Sequence, residues 1–527
     1  MMRLDLIIKE QLFVNASLKE PRFGLCVIGL PGGRKTLTVL DTLFGKLINY
    51  WTKLDIPVVI AMPTRTLRDW CARYLVDKYL HQDEVIVFKS KLEFCDAVRR
   101  ELARLKARIK KTIIQVCRRL KVRPTVFTQD LLEFFTYMYA LFKTCRECLN
   151  RSNCEFYKNY RLLQAGGFKV FLMTHKLMQV LLYTDYQRTL FSRHVVVIDE
   201  ADSYLDLFQN WLTPVHLAVL HKLAKWDSVW SRIFKTIETQ LVRFEGGYLF
   251  FLKPVFPFCL LPICISATIE MYYLQAIAVM SGLNTTFKVV APPAKIIDRC
   301  VLASNLIYTV EVPEKTTAST IKPHEAAEKI AEVVTNLVDN YKVTIGIAAR
   351  SYEFNRMVSQ FLAQVGMKFY TDLFYTDSVD VKKLREALEK TDVIIWTTGG
   401  KLYRGVSLPD RDVIVCTYQA APLVKPKPHV LTYVPKAIAD IDTYYVLKVN
   451  NARNVQSYFR ANRRRDLRHI FFFADVRSWL AMRDSLEIYA MKSRTFRQWY
   501  DKELKKAKEV DLQNPRQVVE AIASLLK

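Results

Sequence analysis

The sequence predicts an α/β protein built on two parallel sheets, with a helical, cysteine-bearing insertion in the first half. Short apolar runs alternate with helix-period segments in both halves of the chain. A long stretch after the third run breaks that alternation. Glycine is scarce, with only 15 in 527 residues, and six of them fall in two short segments: Gly29, Gly32 and Gly33, then Gly399, Gly400 and Gly405. A chain that avoids glycine elsewhere needs it there for tight backbone geometry.

The apolar runs of the first half are Leu25–Gly29, Val58–Met62, Val85–Phe88, Val170–Met173, Val195–Ile198 and Ile263–Ile265. Those of the second half are Thr344–Ala348, Val393–Trp396, Val413–Thr417 and Ile470–Phe473. Runs without polar alternation are buried on both faces, as in parallel sheets covered by helices. Prolines and polar residues between 292 and 320 mark a boundary, giving domains 1–295 and 296–527. Residues 92–160 form the insertion, 203–260 a shorter helical element, and Ser493–Lys527 reads as charged helix.

Hydrophobic residues make up 51% and charged residues 25%, which excludes a collagenous or broadly disordered chain. The net charge of +26 favours a polyanionic partner, because Lys and Arg release counterions when they neutralise phosphates. From Asp96 to Arg123 there are eleven Lys or Arg against Asp96 and Glu101, which reads equally as a solvated helix face or a phosphate-tracking one. The most apolar stretch, Tyr248–Ala267, is broken by Lys253 and three prolines and reads as buried strand and loop, with no membrane span. With no signal peptide at the N-terminus, a cytoplasmic protein is expected, and its 11 cysteines then suit metal ligands and buried thiols.

Five constellations carry chemistry. Gly29-Leu-Pro-Gly32-Gly33-Arg34-Lys35-Thr36 follows a strand and opens a helix. It nearly fits the phosphate loop, whose amides cradle phosphates while Lys contacts the β and γ phosphates and the hydroxyl meets Mg²⁺. Arg34 stands where the second glycine is expected. Asp199 and Glu200 end a buried β-branched run, at the sheet edge where open parallel sheets bind ligands. Asp199 would hold Mg²⁺ and Glu200 would orient or deprotonate water. Ser266-Ala267-Thr268 follows a later apolar run and acquires meaning from its order after the acidic pair. Gln456, Arg460 and Arg463 share a short segment; their spacing places both guanidiniums on one helix face, suited to a developing phosphoryl charge. Cys145, Cys148 and Cys154 give C-x2-C-x5-C and call for a fourth ligand, with Cys95 and Cys117 as candidates. Thiolate sites of this kind hold zinc or an iron–sulfur cluster, and spacing does not separate the two.

In this order the elements resemble the XPD/DinG family of iron–sulfur helicases, from about Gly29 to Arg477. Thr64-Arg65-Thr66 resembles the family's TRT segment, and Phe88–Cys95 the segment leading to its first cluster cysteine. The latter favours Cys95 over Cys117. Asp199–Asp202 reads DEAD where the family has DEAH, Arg350-Ser351-Tyr352 resembles its PSY segment, and Asp475-Val-Arg477 its D-x-R. Gly399–Pro409 resembles its GG…EG(I/V)DLP segment, with Arg404 and Ser407 in place of acids. Phe459 replaces the glycine before Arg460, and the family's Arch domain shrinks to the 203–260 element.

The resemblance implies two RecA-like motor domains with ATP and Mg²⁺ between them. It implies a [4Fe–4S] cluster, or zinc, on Cys95, Cys145, Cys148 and Cys154. Thr64, Arg65, Thr66, Ser351 and Tyr352 would then contact DNA, and Ser266, Ala267 and Thr268 would couple the sites. The implied activity is ATP-driven translocation, 5′ to 3′, on single-stranded or forked DNA. Arg34 and Phe459 motivate the alternative of a weakly hydrolysing DNA-binding scaffold. The basic, Ile/Val-rich composition fits an archaeal or archaeal-virus source.

Overall fold

The computed structural model describes residues 3–29, 35–124, 127, 129–146, 153–184, 190–205, 211–238, 241–243, 250–252, 255–266, 274–275, 278–279, 281–290, 304–309, 322–374, 381–398, 400, 402, 408–418, 451, 453–461, 469–490, 497–498, 501 and 508–526. Strands β1 (Phe23–Ile28), β2 (Val58–Met62), β3 (Val85–Val87), β4 (Val170–Thr174) and β5 (Val195–Asp199) fall on the apolar runs. A small antiparallel sheet of β6 (Trp211–Leu212), β7 (Leu241–Arg243) and β8 (Phe250–Leu252) follows, then β9 (Leu261–Ser266) and β10 (Thr286–Val290). The first large sheet is seven-stranded in the order β10-β1-β9-β5-β2-β4-β3, and every pairing in it is parallel.

The second large sheet also has seven strands. They are β11 (Ser304–Thr309), β12 (Ile345–Ala349), β13 (Phe369–Thr371), β14 (Val393–Thr397), β15 (Val413–Cys416), β16 (His469–Phe473) and β17 (Lys508–Val510). Their order is β13-β14-β12-β15-β16-β11-β17, again parallel throughout. Strand β17 corrects the expectation of continuous charged helix after Ser493. Lys508–Val510 pairs along β11 as an edge strand, and the helix Pro515–Leu526 then packs back on the sheet. An edge strand tolerates the charges of Lys508 and Glu509, which is why no apolar run announced it.

Burial on both faces explains the uninterrupted apolar runs. In the first sheet Leu25, Val27, Ile60 and Val197 enter one core, while Cys26, Val59, Ala61 and Val196 enter the opposite one. The period-two alternation of side chains sends neighbours to different cores, and both need apolar residues. The second sheet repeats the arrangement, with Ile347 and Ile395 on one face and Trp396 and Phe471 on the other.

The two interruptions of the first sheet converge. One follows β3 and the other β5, and in a parallel sheet those strand ends lie on the same edge. Helices Asp96–Arg119 and Gln129–Arg146 from the first pack with Pro214–Ala224 and Ser228–Glu238 from the second. They share one core, in which Leu105, Ile109, Ile113 and Phe135 meet Leu220, Trp230 and Ile233. Tyr139 Oη donates to Asp227 Oδ2 at 2.5 Å across the same seam. Among the described residues, no helix is long and apolar enough to cross a membrane.

This shared core makes a prediction. Ile233→Ala opens a cavity costing about 2–5 kcal/mol. Tryptic cleavage within Asp96–Arg119 should accelerate, although that helix belongs to the other interruption. Unchanged cleavage there would mean that the two segments fold separately.

Candidate functional site

The sheet order brings the predicted phosphate-binding and acidic segments together. Strands β1, β9 and β5 are neighbours, so Ile28, Ser266 and Asp199 stand side by side on one edge. Lys35 begins the helix Lys35–Leu40 and is buried. Thr36 Oγ1 donates to Asp199 Oδ1 at 2.7 Å, joining two residues far apart in sequence. Gly29 is buried at the end of β1, whereas Gly32, Gly33 and Arg34 lie outside the described residues.

Asp199 is buried, and burial costs a carboxylate its hydration. That burial, and next the neighbouring Glu200 carboxylate, push its pKa up to about 7. The Thr36 hydroxyl and the Lys35 ammonium pull in the opposite direction. The Asp199 carboxylate and Thr36 hydroxyl are oxygen ligands of the kind that hard divalent cations take. Glu200 has φ of 49°, the left-handed region that a non-glycine residue enters at a cost of order 1–2 kcal/mol.

Glu200 also bridges the halves of the chain. Gln456 Nε2 donates to Glu200 Oε2 at 2.8 Å. Gln456 lies on a helical segment that gives way to a 3₁₀ turn, Phe459–Ala461, so Arg460 sits in the turn rather than on a continuous helix face. Arg460 is half-buried, and Arg463 lies outside the described residues. Phe459 is buried with its ring centroid 5.3 Å from that of Phe471. Phe459, the departure that the sequence singled out, therefore packs into the core of the second sheet.

Ser266 Oγ donates to Asp202 Oδ1 at 2.8 Å in a buried contact, while Ala267 and Thr268 lie outside the described residues. Thr64 caps the helix Arg65–Lys78 by accepting from Leu67 N–H at 3.2 Å, and Arg65 and Thr66 are exposed beside it. Ser351 caps Tyr352–Gln364 in the same way, accepting from Phe354 N–H at 3.1 Å, and Tyr352 is exposed.

Of the cysteines, Cys95 and Cys154 are half-exposed and each precedes a helix, Asp96–Arg119 and Glu155–Ala165 respectively. Lys91 lies over the rings of Phe156 and Tyr157 at 4.4 and 4.8 Å, drawing the two cysteine-bearing segments together. Cys117 is buried in the apolar helical core, where burial raises its pKa, so it suits packing rather than ligation. Cys145 lies in the last turn of the helix Gln129–Arg146, and Cys148 lies outside the described residues. Among the described residues no three His, Cys, Asp or Glu side chains gather as a metal site.

Sequence reasoning missed a buried network in the second half. Asp372 accepts from Asn355 Nδ2 at 2.7 Å and from the Thr397 N–H at 2.8 Å. Thr398 Oγ1 reaches Ser457 Oγ at 3.1 Å, and Trp396 Nε1 donates to Ser457 Oγ at 3.0 Å. These bonds fix the end of β14 against the segment carrying Gln456. A Cβ on Gly400 would collide with the Asp372 carboxylate, which explains that glycine. Polar residues spread over two helical segments, a turn and a strand gave no pattern from which to read the network.

No protein-family model matches the chain, and no curated protein matches it in sequence. Solved structures do match in fold. An XPD helicase superposes with a TM-score of 0.51 at 12% identity, covering 97% of this chain and 100% of that one. S. tokodaii Xpd4 gives 0.45 at 11% identity, covering 90% and 96%. S. cerevisiae Dbp5 bound to RNA and ADP BeF3 gives 0.42 at 12% identity, covering 98% and 93%. At such identities the likeness shows the fold alone. That fold is helicase-like, with two RecA-like parallel-sheet domains and a helical insertion in the first.

Two predictions arise from this geometry. Asp199 has a folded pKa of about 7, above its ordinary 3.8, so its contribution to stability is full below pH 3.8 and is lost as pH rises through 7. Asp199→Asn carries no charge to bury. Without Mg²⁺, its melting temperature should gain on the wild type between pH 5 and pH 8. A difference that stays constant would place the titration elsewhere. Gly400→Ala should cost about 1–3 kcal/mol in denaturant unfolding, by overpacking against Asp372.

Proposed function

We propose that the chain is a nucleic-acid-dependent ATPase and DNA helicase that moves along single-stranded DNA, 5′ to 3′ by resemblance to the XPD/DinG family. The observation carrying this reading is the chain of contacts from Thr36 through Asp199 and Glu200 to Gln456, which links the phosphate-loop residues of one domain to the arginine-bearing segment of the other.

ATP would lie between the sheet edges, with Gly29, Gly32, Gly33, Arg34, Lys35 and Thr36 around its phosphates. Thr36 and Asp199 would hold Mg²⁺, which offsets phosphate charge when bound. Glu200 orients the attacking water and receives its proton. Gln456, Arg460 and Arg463 approach the γ-phosphate from the second domain, where planar guanidiniums stabilise the charge that develops. Ser266, with Ala267 and Thr268, passes the state of the acidic segment onward through Asp202. Thr64, Arg65, Thr66, Ser351 and Tyr352 line the path of the strand, and the net charge of +26 suits a polyphosphate.

Cys95, Cys145, Cys148 and Cys154 would hold a [4Fe–4S] cluster, with zinc as the alternative. The half-exposed, helix-preceding positions of Cys95 and Cys154 fit thiolate ligands. Such a group supplies rigidity to the insertion rather than redox chemistry. Colour and an iron assay after anaerobic purification distinguish the metals.

The decisive experiment is ATP turnover with and without single-stranded DNA. DNA should stimulate phosphate release in the wild type, and Lys35→Ala should lower turnover by at least about 100-fold, as loss of a phosphate-stabilising group does. Turnover unaffected by Lys35→Ala would refute the mechanism. DNA binding without turnover in the wild type would favour the scaffold reading that Arg34 motivates.

A further inference from the structure

The segment between β3 and the first cysteine is held from two sides. Phe88 continues the sheet by donating its N–H to the Leu172 carbonyl at 2.8 Å, and its ring lies 5.1 Å from that of Phe156. Lys91 covers Phe156 and Tyr157, just beyond Cys154. The opposite hold is Glu93. Its Oε2 accepts the Ser90 N–H at 2.8 Å, and its Oε1 forms an ion pair with Arg68 Nη1 at 2.8 Å. Arg68 is buried and Glu93 is half-buried, with side-chain exposures of 2% and 9%. The same Oε1 lies 3.8 Å from Nε of Arg65, whose side chain is 60% exposed.

Glu93 thus joins two places that serve different ends. Arg65 and Arg68 belong to the helix capped by Thr64, and Cys95 follows Glu93 by two residues. The Glu93–Arg68 pair is short and shielded from solvent, and Arg68 also pairs with Asp69 Oδ1 at 2.8 Å, which holds the guanidinium in place. The Glu93–Arg65 pair is long and open to solvent, so a phosphate can take Arg65 without breaking the inner pair.

We propose that Glu93 is a positioning residue that orients Arg65 toward a nucleic-acid phosphate and transmits strand engagement there to the Cys95 segment. This rests on the reading of the Thr64–Thr66 turn as a strand contact. Arg65 serves as a planar fork shared between Glu93 and the phosphate, while Arg68 keeps the helix start and the Glu93 segment in fixed relation.

Electrostatics alone and positioning predict opposite signs. Removing an acid beside a phosphate site strengthens binding if charge is all that matters. Positioning predicts that Glu93→Gln weakens it. The test is fluorescence anisotropy with a thymidine 20-mer, on wild type, Glu93→Gln, Arg65→Ala and the double variant, joined to hydrogen exchange with and without the oligonucleotide. Glu93→Gln should bind about fivefold more weakly, within the range for coupling residues, and Arg65→Ala should add little to it. In the wild type the oligonucleotide should slow exchange in residues 88–95, and in Glu93→Gln that slowing should vanish while residues 64–66 remain protected. Tighter binding, additive losses or unchanged slowing in 88–95 would each overturn the proposal. Absence of binding by the wild type would overturn the strand-contact reading along with it. If Glu93→Gln fails to fold, Arg65→Lys decides: restored binding would show that charge alone suffices and reject positioning, whereas a loss like that of Arg65→Ala supports it.

Discussion

Burial of the Asp199 carboxylate is the constraint around which the candidate nucleotide site is arranged. A strand that ends inside the sheet edge delivers its last side chain into a place with little water. An ionised carboxylate there requires compensation, supplied in part by the Thr36 hydroxyl and the Lys35 ammonium. Both come from the helix following β1, so the neighbourhood of β1 and β5 across β9 is a requirement of the site as well as a feature of topology. Glu200, one residue on, aggravates the charge problem and is turned away by its left-handed backbone. Its carboxylate finds Gln456 in the other domain.

The insertions show the same economy at a larger scale. Neither interruption of the first sheet is long enough to build a generous core alone, since small domains bury too little of their surface. Leaving the sheet on the same edge, they pool their apolar faces, and Ile113 and Ile233 become neighbours in one core despite belonging to different interruptions. The basic residues of Asp96–Arg119 are thereby left on the opposite face of that helix. Motion of either segment must carry the other.

What the sequence made legible follows from which forces leave a periodic trace. Strands buried on both faces announce themselves as apolar runs, and ten of the runs read as strands fall on strands of the two large sheets. Strand β17 left no such trace because an edge exposes one side. The helical core common to both interruptions was illegible because contacts between distant segments have no local period. At the site, Lys35, Thr36, Asp199 and Glu200 were readable because their spacing is fixed by a strand, a turn and a helix start. Glu93 was half-readable: Ser90-Lys-Leu-Glu93 is the pattern of a helix-capping box, but its ion pair to Arg68 lies in tertiary structure. Asp372 gave no signal, since it lies in a 3₁₀ turn and its partners Asn355 and Thr397 come from a helix and a strand.

The Glu200–Gln456 contact links the cost of Asp199 to the closing of the two domains. Burial first, and next the repulsion of Glu200, favour the protonated form of Asp199, which is what a pKa near 7 expresses. Gln456 offers a second relief by donating a hydrogen bond to Glu200, at the cost of holding the second domain close. In the proposed ATPase, a divalent cation held by Thr36 and Asp199 would favour the charged form of Asp199 and so remove the first cost. Glu200 would then be free to turn to water, and Gln456 to donate to a phosphate oxygen instead of a carboxylate. Under that reading, binding energy at the first domain would be converted into a change of partner on the second.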